Sequence, residues 1–266
     1  MTMSNAVLDE LIDRALVEDL GSGDVTTDCC IEPERRATGN ALSRAAMVVC
    51  GGPVFSRVFE RLDPGVNVSI LQDEGAAVGP DTAVWRVKGS ARSLLTAERV
   101  ALNFAGRLSG IATLARSYVD ALPNGATTRI TDTRKTTPGL RFLERYAVRV
   151  GGAHNHRDDL ASTVLIKDNH IVAAGGIGEA IDRAKRRAPH TCKIEVEVTS
   201  LDELEQALGA GVDIVLLDNM SDDEVARAVE RTRLRGEQRR PLVEASGGIG
   251  RDRIAALAAA GVDAVS

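Results

Sequence analysis

Apolar positions along the chain follow two rhythms. Leu8, Leu11, Ile12 and Leu16 recur at helical spacing and stop at Gly21, which predicts a helix ending there. Short apolar runs at 46–50, 66–71 and 83–87 predict strands, because Gly51-Gly52, Asp63-Pro64-Gly65 and Gly79-Pro80-Asp81 punctuate them as turns. From about residue 96 to 122 a long helix is expected, with Val100, Phe104, Leu108 and Ile111 along one stripe. Pro123-Asn124-Gly125 ends it and suggests a domain boundary, giving 1–126 and 127–266.

The second part alternates. Strands are predicted at 128–132, 163–167, 193–198, 213–217, 242–245 and 264–266, with helices at 139–148, 177–188, 201–208, 222–234 and 251–259. Strand–helix alternation means parallel strands joined by crossover helices, hence a doubly wound sheet or a (β/α) barrel. The echo of AGVDIVLLDN in AGVDAVS fits helix ends feeding successive strands, but it is too short to establish a repeat.

Composition narrows the picture. Aromatic residues are 3% of the 266, so the core is built from Ala, Val, Leu and Ile, which suits parallel strands flanked by Ala-rich helices. A net charge of −5 argues against a nucleic-acid partner. No apolar stretch approaches membrane-spanning length, and residues 1–10 carry no cationic segment leading into an apolar one. Cys29, Cys30, Cys50 and Cys192 form no C-x-x-C pair, so reduced thiols and a cytoplasmic location are expected.

Five of the six strand ends carry polar or charged groups: Asp132/Arg134/Lys135, Lys167/Asp168, Glu195/Glu197, Asp218/Asn219 and Glu244/Ser246. Carboxyl ends of parallel strands are where such folds place their sites. Residues 129–170 hold eight Lys/Arg against five acids, so this window is +3 within a remainder of −8. A cationic strand-end region in an acidic protein suits a small polyanion. Arg141, Arg145 and Arg149, four residues apart, read instead as a solvated helix face. His154, His156 and Asp168 could ligate a metal, although Arg157 is a poor neighbour for a cation. Glu195 and Glu197 share one strand face; with Asp218 they suit Mg²⁺ and a phosphorylated substrate, or simple pairing with Lys and Arg. Ser246-Gly247-Gly248-Ile249-Gly250 reads as a phosphate cradle or as a plain turn. No G-x-S-x-G elbow supports hydrolase chemistry.

Several ordered blocks are specific enough to identify. TDTRKTTPGLR at 131–141, ERYAV at 144–148, Asn155-His156-Arg157, LIKDNH at 165–170, EVEV at 195–198, Leu217-Asp218-Asn219 and SGGI at 246–249 closely resemble the quinolinate phosphoribosyltransferase family. So do GDVTT at 23–27, LTAER at 95–99 and LSGIAT at 108–113. The resemblance implies an N-terminal α/β sandwich followed by an incomplete α/β barrel. It also implies transfer of phosphoribose from 5-phosphoribosyl-1-pyrophosphate to quinolinate, with Mg²⁺, releasing pyrophosphate and CO₂ and giving nicotinate mononucleotide for NAD biosynthesis. Carried over by motif, Arg134, His156, Arg157 and Lys167 would bind quinolinate, joined by Arg99 from the partner in a homodimer. Lys135 would contact the phosphoribosyl pyrophosphate, Glu197 and Asp218 would serve Mg²⁺ and the ribose, and Ser246 and Gly247 the 5′-phosphate. Lys135, Lys167, Glu197 and Asp218 would form the catalytic set. Family members continue beyond the strand on which Ser266 lies, so the last barrel unit is expected to be cut short here. The dense cationic set favours a dicarboxylate over nicotinate's single carboxylate, and a non-catalytic anion binder is the remaining alternative.

Overall fold

The computed structural model describes residues 5–236 and 240–266, which divide into two compact units. One comprises 5–116 together with 137–152, and the other 117–136 together with 153–266. The expected α/β architecture is present in both, antiparallel in the first and parallel in the second.

In the first unit the expected opening helix is α1 (Asn5–Leu20), and it buries Leu8, Ile12 and Leu16. Asp24 caps α2 (Val25–Cys30) by accepting from Thr27 N at 3.0 Å, and its other oxygen accepts from Thr96 Oγ1. The GDVTT block is therefore a structural clasp. Strands β1 (Arg36–Leu42), β3 (Asn67–Ile70) and β5 (Ala83–Ser90) form an antiparallel sheet with β5 central, and β2 (Met47–Val48) pairs with β4 (Ala77–Val78). Between them α3 (Gly52–Leu62) starts from a left-handed Gly51, and its first amides, Gly51 N and Gly52 N, are taken by the Glu74 carboxylate. The long helix α4 (Ala91–Val119) presents Leu94, Ala97, Val100, Ala101, Leu108 and Ala112 to the core.

The same core takes in α5 (Arg141–Val150) through Leu143 and Ala147. No residue of α5 is exposed, and Arg145 is only 9% accessible. The solvated face expected from Arg141, Arg145 and Arg149 is thus absent, because tertiary packing covers both sides of this helix. Glu144, also buried, is ion-paired with Arg107 of α4. Gly151 ends α5 where a Cβ would lie 2.5 Å from Ala112 O, so the two helices meet as closely as backbones allow.

The second unit is a six-stranded parallel sheet ordered β6-β11-β10-β9-β8-β7. Its strands are β6 (Arg129–Ile130), β7 (Val164–Ile166), β8 (Ile194–Val198), β9 (Ile214–Asp218), β10 (Leu242–Ser246) and β11 (Ala264–Val265). Five helices join them: α6 (Asp168–Ala174), α7 (Ile177–Arg187), α8 (Leu201–Ala210), α9 (Asp222–Arg233) and α10 (Arg251–Ala260). Ser200 and Ser221 cap α8 and α9, while left-handed Gly211 and Gly261 end α8 and α10. Val196, Val198, Val215, Leu217, Val243 and Ala245 are all buried, as expected for strands covered on both faces. His154 adds a one-residue parallel bridge to Thr131 outside β6, so the segment leading to His156 borders that edge of the sheet. Yet His156 touches Glu195 of β8, near the opposite edge. Side chains from both ends of the strand order meet inside, which is the curl of an incomplete barrel.

Among the described residues no helix is long and apolar enough to cross a membrane. The four cysteines form no disulfide.

Candidate active site

At the carboxyl ends of β7 to β11 the second unit holds a cavity of about 430 Å³. Arg134, Lys135, His156, Arg157, Lys167, Glu197, Asp218, Ser246 and Gly247 all line it. These were scattered over more than 110 positions of sequence. Arg99 is not among the lining residues; it stands exposed on α4 in the first unit.

The cationic wall is built by two tight segments. After β6 a turn at 133–136, closed by Lys135 N to Thr133 Oγ1 and Thr136 N to Arg134 O, displays Arg134 and Lys135. Asp132 fixes the second segment, since its carboxylate accepts from His156 N at 2.7 Å and from Asn155 Nδ2 at 2.6 Å. Arg157 follows immediately. Burial, and then the charge of Arg134, pulls the Arg157 pKa below its ordinary value. The Nε of Arg134 is buried without a hydrogen-bond partner. Two guanidinium groups have therefore been desolvated beside each other, an arrangement that an anion between them would relieve.

Lys167 ends β7 and pairs with Glu197 Oε2 at 2.7 Å. Asp218 ends β9, and its Oδ2 accepts from Asn219 Nδ2 at 2.7 Å. Each carboxylate is thus anchored through one oxygen, while Glu197 Oε1 and Asp218 Oδ1 carry no hydrogen bond to the described residues. Two hard oxygen donors lining one cavity fit Mg²⁺. Beyond Ser246, Gly247 and Gly248 have φ of +96° and +59°, and consecutive left-handed residues turn backbone N–H groups into an anion-binding concavity.

His156, Glu195 and Glu244 converge below this layer, with His156 Nε2 3.2 Å from Glu195 and 3.5 Å from Glu244. They do not suit a metal. His156 Nδ1 accepts from Arg157 N at 2.7 Å, so Nε2 carries the ring proton and faces the carboxylates as a donor. The hydrogen bond to Glu195 raises the His156 pKa against the opposing effect of burial. Burial, and then the charge of Glu195, pushes the Glu244 carboxyl up as well. The ring thus holds the Arg157 backbone in place. The alternative histidine metal site does not assemble either: His170 Nδ1 accepts from Lys167 N, and Asp168 caps Asn169 N.

Asp132, Asn219 and the deep Glu195–Glu244 pair were visible in the sequence only as polar strand ends. Their partners lie 24 to 88 positions away or depend on a single backbone torsion.

A curled parallel sheet with cations, anchored carboxylates and a glycine turn at its strand ends defines an α/β enzyme acting on small polyanions. Residues 24–109 match the N-terminal domain, and 111–266 the C-terminal domain, of quinolinate phosphoribosyl transferase. The probable nicotinate-nucleotide pyrophosphorylase [carboxylating] of Synechocystis sp. is 43% identical over 262 residues, covering 98% of this chain and 87% of that one. The Mycobacterium leprae nicotinate-nucleotide pyrophosphorylase [carboxylating] is 40% identical over 96% of this chain and 89% of its own. Solved NadC from Streptococcus pyogenes superposes with a TM-score of 0.93 at 40% identity, covering all of this chain and 92% of that one. The chain belongs to the quinolinate phosphoribosyltransferase family.

Proposed function

We propose that this chain transfers the phosphoribosyl group of 5-phosphoribosyl-1-pyrophosphate to quinolinate, releasing pyrophosphate and CO₂ and forming nicotinate mononucleotide for NAD biosynthesis. The observation that carries this reading is the Arg134–Arg157 pair, desolvated side by side in the cavity. Such a pair is complementary to a dicarboxylate and costs stability without one.

Arg134 and Arg157, with Lys167 at the next strand end, would grip the two carboxylates and aim the pyridine nitrogen at the ribose C1′. His156 would serve by fixing Arg157, since both of its ring nitrogens are engaged by protein. The nitrogen lone pair forms the N–C1′ bond as the C1′–O bond to pyrophosphate breaks. Positive charge developing on the ribose would be stabilised by Glu197 and Asp218. These two carboxylates would also hold Mg²⁺, which supplies neutralisation of the pyrophosphate charge when bound. Lys135, exposed at the rim, would meet the leaving pyrophosphate, while Ser246 and Gly247 would receive the 5′-phosphate. Loss of the ring carboxylate as CO₂ leaves an electron pair on carbon beside the now cationic nitrogen, and a proton from solvent completes the product. Arg99 would complete the cavity of a second copy in a cytoplasmic homodimer.

Incubation with quinolinate, 5-phosphoribosyl-1-pyrophosphate and Mg²⁺ should yield nicotinate mononucleotide and CO₂ in equal amounts. Turnover of nicotinate in place of quinolinate, or no product, would overturn the assignment.

A further inference from the structure

Asn219 sits at a conformationally unusual point. Among the described residues only it and Asp81 have positive φ without being glycine, and its φ is +56°. Successive residues of a strand point to opposite faces, so Asn219 in extended conformation would turn away from Asp218. The left-handed torsion breaks that alternation. It brings the Asn219 amide back onto its neighbour, with Nδ2 donating to Asp218 Oδ2 at 2.7 Å. Asparagine is one of the few residues that adopt this torsion at low cost.

The same residue reaches across to the adjacent strand end. Asn219 N donates to Ser246 O at 3.0 Å, one step beyond the last register pair, Ser246 with Asp218. Gly247 is packed against it so closely that a Cβ there would lie 2.3 Å from Asn219 Oδ1 and 2.7 Å from Asn219 N. Asn219 also lines the cavity. One residue therefore fixes the rotation of the Asp218 carboxylate and the position of the glycine turn, two groups contributed by different strands.

We propose that Asn219 is a positioning residue that locks Asp218 and the Ser246–Gly247 turn into one rigid receptor for the phosphoribosyl substrate and its divalent cation, separate from the dicarboxylate clamp. This rests on the transferase reading above. It assigns the two substrates different dependences on a single amide. Asn219→Gly keeps the torsion and deletes the amide, whereas Asn219→Asp keeps the torsion and places a second carboxylate beside Asp218.

The test compares wild type with both variants by steady-state kinetics in each substrate, by Mg²⁺ titration of activity, by thermal unfolding, and by calorimetric binding of each substrate alone. Asn219→Gly should melt close to wild type and bind quinolinate within about twofold of it. Its KM for 5-phosphoribosyl-1-pyrophosphate should rise about 10–100-fold, the usual worth of a hydrogen bond to a charged group, and half-maximal activity should need more Mg²⁺. Asn219→Asp should be at least as impaired, because like charges then face each other. Unchanged phosphoribosyl-substrate and Mg²⁺ dependence in Asn219→Gly would overturn the proposal. So would an equal loss of quinolinate binding, which marks general disruption. If wild type itself makes no nicotinate mononucleotide, the transferase reading fails. The calorimetric comparison of Mg²⁺-bound 5-phosphoribosyl-1-pyrophosphate between wild type and Asn219→Gly then decides the role of Asn219 alone.

Discussion

Substituting Gly247 by alanine separates two costs that usually travel together. The first is conformational: φ of +96° is a region L side chains avoid, at about 1–2 kcal/mol. The second is steric. The new Cβ would fall 2.3 Å from Asn219 Oδ1, 2.6 Å from its Cγ and 2.7 Å from its backbone N. The side-chain atoms can rotate away, but only by abandoning Asp218 Oδ2. The backbone N cannot move without stretching its bond to Ser246 O, and overpacking of this kind costs about 1–3 kcal/mol. A lost backbone hydrogen bond adds about 1 kcal/mol. Together these predict about 4 kcal/mol if the turn keeps its shape. The neighbouring Gly248 is the internal control, with φ of +59° and open space for 4 Å around the place a Cβ would take, so Gly248→Ala should cost only the torsional part. Chemical denaturation of both variants, alongside KM for 5-phosphoribosyl-1-pyrophosphate, measures the difference. Should Gly247→Ala lose no more than Gly248→Ala in both stability and KM, the close-approach argument is wrong.

Three further outcomes are expected. Arg134→Met removes a like charge from beside Arg157, so the ligand-free protein should be as stable as wild type or up to about 1 kcal/mol more so. Quinolinate at a hundredfold over Kd stabilises wild type by about 2.7 kcal/mol; the variant should show no such gain, and a retained gain in thermal unfolding would refute the clamp. In Glu144, burial alone would raise the pKa, but hydrogen bonds from Arg107 and Thr137 outweigh it and hold the carboxyl low, so its stabilisation is present above its unfolded value of 4.5 and lost as pH falls through the folded one. Arg107→Leu leaves that buried carboxylate without its counter-charge at a cost of about 2 kcal/mol, between exposed and fully buried pairs because Arg107 is 44% exposed; its folded pKa then rises, so urea midpoints should fall with increasing pH above 4.5, the reverse of wild type. Gly151→Ala meets no torsional penalty at φ −65°, yet its Cβ would lie 2.5 Å from Ala112 O and 2.7 Å from Ala115 Cβ. It should cost about 2–3 kcal/mol by overpacking alone, and an unchanged melting temperature would contradict that packing.

The parallel sheet was legible because each of its strands is a short apolar run bounded by turn residues, and all six appear within two residues of the expected bounds. Helix α3 was missed, since Gly51-Gly52-Pro53 reads as a break although Pro at a first turn is compatible with a helix. Helix α6 was missed because seven residues opening on Asp168-Asn169-His170 look like a polar loop. The candidate site was legible as polar strand ends. What each carboxylate does was not. Glu195 and Glu197 share one face of β8, but Glu195, at 1% exposure, lies one pleat deeper and meets His156, while Glu197 reaches Lys167. Periodicity assigns a face and is silent about depth, and it cannot register a partner that arrives from the far edge of a curled sheet.

The path of the chain between units has a consequence for inheritance. Residues 117–136 and 153–266 belong to the second unit, and the intervening 137–152 to the first. The two cationic segments of the cavity, 133–135 and 154–157, are consequently joined by a helix whose Leu143 and Ala147 belong to the other unit's core. No single cut in the chain frees one unit from the other. A recombination event near residue 110 would carry the cavity away with a helix stripped of its packing partners and leave a hole in what remained. The anion pocket and the first unit's core must therefore be acquired, duplicated or lost together.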